Sequence, residues 1–236
     1  MQAIILAGGF GTRLKHILPD IPKPMAPLQG KPFLHYIVEY LSKQGVTEFV
    51  FSTHYLSEQI ESYFIELQKT SPNLSFKFAY EAEALGTGGA ILNSINLSNA
   101  NGDVLVLNGD TFVEMDYQKF ISEHKNNNSK ISLALREVDD TARYGRVEVN
   151  GKHITAFREK GLGGLGLINA GNYIIDADWF KQQHLPQKFS FETDFLFPKI
   201  AEIKPTYFVA SSYFIDIGIP EDYARAQVEI PQMVKA

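Results

Sequence analysis

The sequence predicts an α/β protein in which a mostly parallel mixed sheet is flanked by helices. Short, fully apolar runs such as Ala3-Ile4-Ile5-Leu6 and Val104 to Leu107 alternate with longer stretches of helical periodicity. That alternation is the mark of strands joined by crossover helices. The first apolar run breaks at Gly8, Gly9 and Gly11, a sharp turn at the carboxyl end of a strand. Two later apolar runs close on an acid: Asp110 follows Leu107-Asn108-Gly109, and Asp216 follows Phe214-Ile215. In open α/β sheets ligands collect at the carboxyl ends of strands, so these acids are candidates for chemistry. Each also has a plain alternative as a turn or helix cap.

The remaining elements follow in order. Pro32 to Gln44 reads as a helix, with Phe33, Tyr36, Ile37, Tyr40 and Leu41 on one face and Gly45 as its stop. Glu48 to Ser52 reads as a strand, and Ser57 is expected to cap a helix that turns Ile60, Phe64 and Leu67 inward. Phe76, Phe78 and Tyr80 alternate as in a strand. Val147 to Val149 and Ile154 to Phe157 flank Asn150-Gly151, the preferred chemistry of a two-residue hairpin turn. Gly161 to Gly166 is a mobile cover or a disordered turn. A strand is expected over Leu167 to Ile175, then helices near Asp194 to Ile203 and Pro220 to Val228. No composition break marks a linker, so residues 1–236 are expected to form one domain.

Composition narrows the classes. The net charge of −5 argues against a general nucleic-acid or anionic-membrane surface, so positive charge for phosphates must be local. There are no cysteines, which excludes disulfides, thiolate metal sites and cysteine nucleophiles. His16, His35, His54, His124, His153 and His184 lack metal-ligand spacing and are expected at the surface or half-buried. No run approaches the ~18 apolar residues of a membrane span, and no signal peptide is evident. A cytoplasmic protein is expected, with homo-oligomerisation left open.

The glycine-rich turn is not a dinucleotide fingerprint, because Leu14 stands where the third glycine should fall. Nor is it a P-loop, since no Gly-Lys-Ser/Thr occurs. It still suits a phosphate: Gly8, Gly9 and Gly11 let backbone N–H groups approach an anion, and Arg13 supplies a guanidinium fork. Pro22-Lys23-Pro24 offers a charge on a stiffened backbone, or simply a solvated loop. Two hard carboxylates at distant strand ends suit Mg²⁺, which takes few protein ligands and completes its shell with phosphates. Leu85-Gly86-Thr87-Gly88-Gly89 sits at a strand-to-helix junction, where backbone amides face a base or an anion, or mark a flexible helix start.

Gly8-Gly9-Phe10-Gly11-Thr12-Arg13-Leu14 followed about ten residues later by Pro22-Lys23-Pro24 resembles the signature of the sugar-1-phosphate nucleotidyltransferases. The likeness runs from Leu6 to Arg225. It implies a Rossmann-like, GT-A-like nucleotide-diphospho-sugar transferase fold with a small β-hairpin subregion on the sugar side. It further implies a nucleotide-binding half over 1–110, a sugar-phosphate half over 111–236 and no C-terminal β-helix domain. The resemblance gives Lys23 to the nucleotide phosphates, Arg13 to the departing pyrophosphate, and Asp110 and Asp216 to Mg²⁺. The nucleotide side would comprise Leu6, Ala7, Gly8, Gly9, Gly11, Thr12, Gly86, Thr87, Asn108 and Gly109. Glu81 would accept hydrogen bonds from guanine, or stand as a solvated loop acid. Gly145, Glu159, Lys160, Asn169 and Gly171 would form the sugar side, with Lys160 neutralising the sugar phosphate.

The wording Pro-Lys-Pro-Met-Ala-Pro, Leu-Gly-Thr-Gly-Gly-Ala, Leu-Asn-Gly-Asp-Thr and Phe-Ile-Asp-Ile-Gly-Ile-Pro-Glu-Asp-Tyr most resembles the D-glycero-α-D-manno-heptose 1-phosphate guanylyltransferases. These use GTP in making activated heptose for bacterial lipopolysaccharide or capsule. Ala84 departs from the proline that many relatives carry before Leu-Gly-Thr. The alternatives are an N-acetylmuramate-1-phosphate uridylyltransferase, a mannose-1-phosphate guanylyltransferase, or a non-catalytic nucleotide-sugar-binding regulatory protein on the same fold.

Overall fold

The computed structural model describes residues 1–9, 17–161, 163–210 and 212–235. Gly11, Thr12 and Arg13 of the phosphate turn lie outside the described residues. The elements, in chain order, are β1 (Gln2–Leu6), a 3₁₀ turn (Lys23–Met25), β2 (Pro27–Leu28), β3 (Lys31–Pro32), α1 (Phe33–Lys43), β4 (Glu48–Thr53), α2 (Ser57–Thr70), β5 (Ser75–Tyr80) and α3 (Gly86–Ser98). They continue with β6 (Asp103–Asn108), β7 (Thr111–Val113), α4 (Tyr117–Asn126), β8 (Ile131–Val138), β9 (Val147–Asn150), β10 (His153–Phe157), β11 (Gly166–Asp176) and α5 (Ala177–Lys181). A π-helical turn (Phe191–Leu196), α6 (Ile200–Ile203), β12 (Thr206–Ala210), β13 (Phe214–Asp216) and α7 (Pro220–Lys235) complete the described chain.

Nine strands form one sheet in the order β5-β4-β1-β6-β11-β8-β12-β10-β9. From β5 to β6 all neighbours are parallel. At β11 the direction reverses: it runs antiparallel to both β6 and β8, and beyond it only the β8–β12 pair is parallel. The sheet is therefore mixed, as expected, but not mostly parallel. An apolar run looks the same whichever way its neighbour runs, so the reversal has no local signal.

Strand alternation separates two apolar layers. On β1, Ala3 and Ile5 face one layer with α1, α2, α4 and α7, while Ile4 faces the other with α3, α5 and the π turn. β6 divides likewise, with Leu105 and Leu107 against Val104 and Val106. Both faces of these strands are covered, which is why they read as continuous apolar runs.

Several local expectations shift. Ser57 does not cap α2; Leu56 holds the N-cap position in the left-handed region (φ 52°). The hairpin pairs Asn150 with His153, moving its two-residue turn to Gly151-Lys152. The helix expected from Asp194 to Ile203 is split into the π turn and the short α6, and the last helix runs on to Lys235 through Pro231. His35 and His124 are buried rather than half-exposed. His124 is only 2% exposed, with Nδ1 2.7 Å from Ser132 Oγ and Nε2 3.3 Å from Asp103 Oδ1, so it ties α4 to β8 and β6.

The topology brings the functional candidates to one edge. The carboxyl ends of β1, β4, β5, β6 and β8 share it with the amino-terminal end of β11. There the chain places Gly8, Glu81, Asp110, Gly145, Asn169 and Gly171.

Candidate active site

The two acids meet because β7 and β13 pair. Asp216 lies opposite Thr111, the residue after Asp110, and the Ile217 amide donates to the Asp110 carbonyl at 3.1 Å. Above them sits the 3₁₀ turn, entered through Pro22 (φ −65°) and anchored by buried Pro24. Lys23 Nζ donates to Asp110 Oδ2 at 2.7 Å and to Asp216 Oδ1 at 3.1 Å. The lysine side chain is 13% exposed, against 37% and 29% for the two aspartates, so the acids retain access to a ligand. Thr111 Oγ1 donates to Asp110 Oδ1 at 3.2 Å, orienting that carboxylate.

The strand ends around this cluster are closely packed backbone. Leu6 lies beside Asn108 in register, the Ala7 amide donates to Ser52 O at 2.8 Å, and the Gly109 amide donates to Leu6 O at 2.9 Å. A Cβ on Gly109 would fall 2.7 Å from that same carbonyl, so only glycine fits where β6 crosses the end of β1. Gly8 is wedged between Glu81 and His54, whereas Gly9 faces open space. Gly171 lies directly against the Asn108 side chain.

Glu81 is not a solvated loop acid. It is buried, and both carboxylate oxygens are engaged: Oε1 accepts from Ser52 Oγ at 2.7 Å and Oε2 from the Leu85 amide at 3.0 Å. It therefore pins the entry to α3. The α3 glycines also have a packing role. The amides of Gly88 and Gly89 donate to the Phe189 carbonyl at 3.0 and 3.4 Å, so they are already committed. A Cβ on Gly89 would come within 2.2 Å of Gln187 O, and one on Gly86 (φ 74°) within 2.6 Å of Phe189 O.

Thr87 belongs to a polar chain that runs from α3 through the π turn to β11. Its Oγ1 donates to Glu192 Oε2 at 2.9 Å and accepts from the Phe191 amide at 2.8 Å. Glu192 Oε1 accepts from Tyr173 OH at 2.7 Å, and Tyr173 OH accepts from Asn169 Nδ2 at 2.8 Å. Burial, and then the Glu192 carboxylate, push the Tyr173 hydroxyl well above its usual range, so it remains a donor. The sequence reading omitted Tyr173 and Glu192. The signal available was an acid inside the aromatic stretch Phe189 to Phe195.

On the hairpin side Gly145 packs under the backbone of Arg158 to Lys160, while the side chains of Glu159 and Lys160 are exposed. The described part of the glycine-rich stretch is tied down: Gly161 N donates to Ala142 O at 2.9 Å, Thr141 N to Gly164 O at 3.1 Å and Gly164 N to Asp140 Oδ1 at 3.2 Å. Arg143 and Tyr144 reach the other way. Arg143 pairs with Asp222 at 3.1 Å, and the Tyr144 ring lies 5.8 Å from the Phe214 ring, linking this loop to the ribbon that carries Asp216.

Comparison with known proteins fits this geometry. A nucleotidyl transferase family model matches residues 2–233. D-glycero-alpha-D-manno-heptose 1-phosphate guanylyltransferase of Aneurinibacillus thermoaerophilus is 42% identical over 99% of this chain and 100% of its own. The protein of the same name from Campylobacter jejuni is 46% identical over 94% of this chain and 97% of its own. Among solved structures, HddC from Yersinia pseudotuberculosis complexed with GMP-PN superposes with a TM-score of 0.83 at 44% identity, covering 96% of this chain and 97% of that one. The chain belongs to the nucleotidyl transferase family.

Proposed function

We propose that the protein transfers GMP from GTP to D-glycero-α-D-manno-heptose 1-phosphate, releasing pyrophosphate and forming GDP-heptose. The observation that carries the chemistry is the convergence of Lys23, Asp110 and Asp216 on one point at the strand ends. The substrate pair is supported by the near-full-length likeness to relatives bearing that activity in their names. Residues 1–110 form mainly the nucleotide side and 111–236 mainly the sugar-phosphate side, where the β9–β10 hairpin forms its own subregion.

Mg²⁺ fits the two carboxylates, because both reach a single cation already, and hard oxygen ligands are what that ion takes. Bound there it would neutralise charge on the α-phosphate. Lys23 donates to the triphosphate oxygens, and Arg13 holds the leaving pyrophosphate. Gly8, Gly9, Gly11, Thr12, Asn108 and Gly109 bring backbone close to the nucleotide, and Glu81 fixes the Leu85 to Thr87 turn against which the base rests. Lys160 holds the sugar phosphate, with Gly145, Glu159, Asn169 and Gly171 around the sugar hydroxyls. A sugar-phosphate oxygen attacks the α-phosphorus, the bridging α–β bond breaks, and its electron pair leaves with pyrophosphate. No protein nucleophile takes part; positioning and charge neutralisation do the work. With GTP as donor, the cytoplasm is the compartment that supplies the reaction.

The test is pyrophosphate release from Mg²⁺, ATP, GTP, CTP, UTP or dTTP, and a panel of sugar 1-phosphates. Release confined to GTP with the manno-heptose phosphate is expected. Release with mannose 1-phosphate, or with UTP and N-acetylmuramate 1-phosphate, moves the specificity and keeps the chemistry. Tight nucleotide-sugar binding without release from any pair overturns the reading in favour of a regulatory binding protein.

A further inference from the structure

The Lys23 ammonium occupies the point between the two carboxylates where a divalent cation would sit. Its contacts of 2.7 and 3.1 Å use one oxygen of each acid, and it is the only ion-pair partner of either aspartate among the described residues. The turn that carries it is held in place: the Met25 amide donates to Pro22 O at 2.7 Å and the Ala26 amide to Lys23 O at 3.1 Å. Two acids brought together by a strand pairing repel each other unless a cation lies between them, and here the chain supplies its own. An ammonium and a divalent ion repel at that spacing, so they do not share the position. Lysine differs from a fixed ligand in having a flexible four-carbon stem and donors that follow a new acceptor. A triphosphate offers such acceptors, with enough negative charge to draw the ammonium off the acids.

Resting on the reading of Asp110 and Asp216 as the metal-binding pair, we propose that Lys23 is the site's resident counter-ion. It excludes a free divalent metal and hands the two carboxylates over only when the nucleotide arrives. Metal and nucleotide therefore load together, and the empty enzyme is protected from capturing ions it does not use. One lysine thus takes two positions: on the acids before substrate, where the structure has it, and on the phosphates after it.

The experiment measures Mn²⁺ binding directly, from the loss of the free-ion electron paramagnetic resonance signal, without sugar phosphate and therefore without turnover. Wild type, Lys23→Met and Lys23→Arg are titrated with Mn²⁺ alone and again with GTP present, uptake being the loss of signal beyond that of enzyme-free Mn²⁺–GTP; thermal melts report which variants are folded. Without nucleotide, wild type and Lys23→Arg are expected to bind weakly and Lys23→Met about tenfold tighter, a gain erased by adding Asp110→Asn. With GTP, wild type is expected to take up the ion and Lys23→Met to lose its advantage. Should Lys23→Met not fold, wild type alone still decides: Mn²⁺ uptake equally strong with and without GTP overturns the lock. A folded Lys23→Met that binds no tighter than wild type, while wild type loads Mn²⁺ with GTP, overturns the lock and leaves the two-acid reading standing. No Mn²⁺ uptake by wild type even with GTP overturns both.

Discussion

At the end proposed to hold the nucleotide, charged side chains meet across distant segments: Lys23 reaches both Asp110 and Asp216. At the hairpin end it is backbone that meets backbone, Gly145 beneath Arg158 to Lys160, while the charged side chains of Glu159 and Lys160 stand in solvent. The first arrangement sets charge positions before any ligand arrives, as charge-stabilising catalysis requires. The second fixes a platform and leaves its charges to find their partner, which suits a region where related enzymes differ in the sugar they accept. In the proposed reading, chemistry is built into one end and choice into the other.

The largest effect expected from breaking the contrast is at the nucleotide end. Asp110→Asn should lower turnover by about 10²–10³ at saturating substrates, measured as pyrophosphate release, with an unchanged circular dichroism spectrum. A variant that retains most of its activity would remove Asp110 from the metal. Next comes Gly89→Ala, which drives a methyl into the Gln187 carbonyl and should cost about 1–3 kcal/mol, read as a melting temperature lower by several degrees. Unchanged stability with poorer GTP binding would instead return these glycines to the nucleotide. At the hairpin end, Lys160→Ala should raise KM for the sugar phosphate by about tenfold, while KM for GTP and the melting temperature stay put. An equal rise in both KM values would erase the division between the two ends.

The smallest effect concerns neither end. Burial holds the His124 imidazole below its usual pKa of 6.5, although neighbouring Asp103 pulls the other way. The folded state thus prefers the neutral ring, and the unfolded chain binds more protons as pH falls through the unfolded value. Stability should be flat above neutrality and decline below about pH 6.5. His124→Gln should lessen that decline in denaturant titrations between pH 7.5 and 5.5, with His35, also lowered by burial, supplying the rest. An unchanged slope would remove His124 as a source of acid sensitivity.

Much of the nucleotide end was legible from sequence, because its residues sit where apolar runs stop. Asp110 and Asp216 each close a strand, and strand ends are where open sheets bind ligands. That the two acids share one lysine was not legible: it needs the β7–β13 pairing, which joins positions far apart in sequence. The α3 glycines offer a ligand cradle or a flexible helix start from sequence, and their packing against Phe189 has no local pattern to announce it. That Glu81 is buried was not legible either, since its partner Ser52 sits on the adjacent strand. The turn through Arg13 lies outside the described residues.

The β7–β13 ribbon also sets a schedule for the protein's synthesis. Asp110 leaves the ribosome long before Asp216, and until β13 has emerged and paired with β7 the first acid has no second acid beside it. Contacts between distant positions form late, after the loop between them has been closed. A nascent chain that has completed β1 through β12 would hold most of its sheet yet lack the pair of carboxylates. The proposed carboxylate pair is therefore completed only once β13 has been made and has found β7.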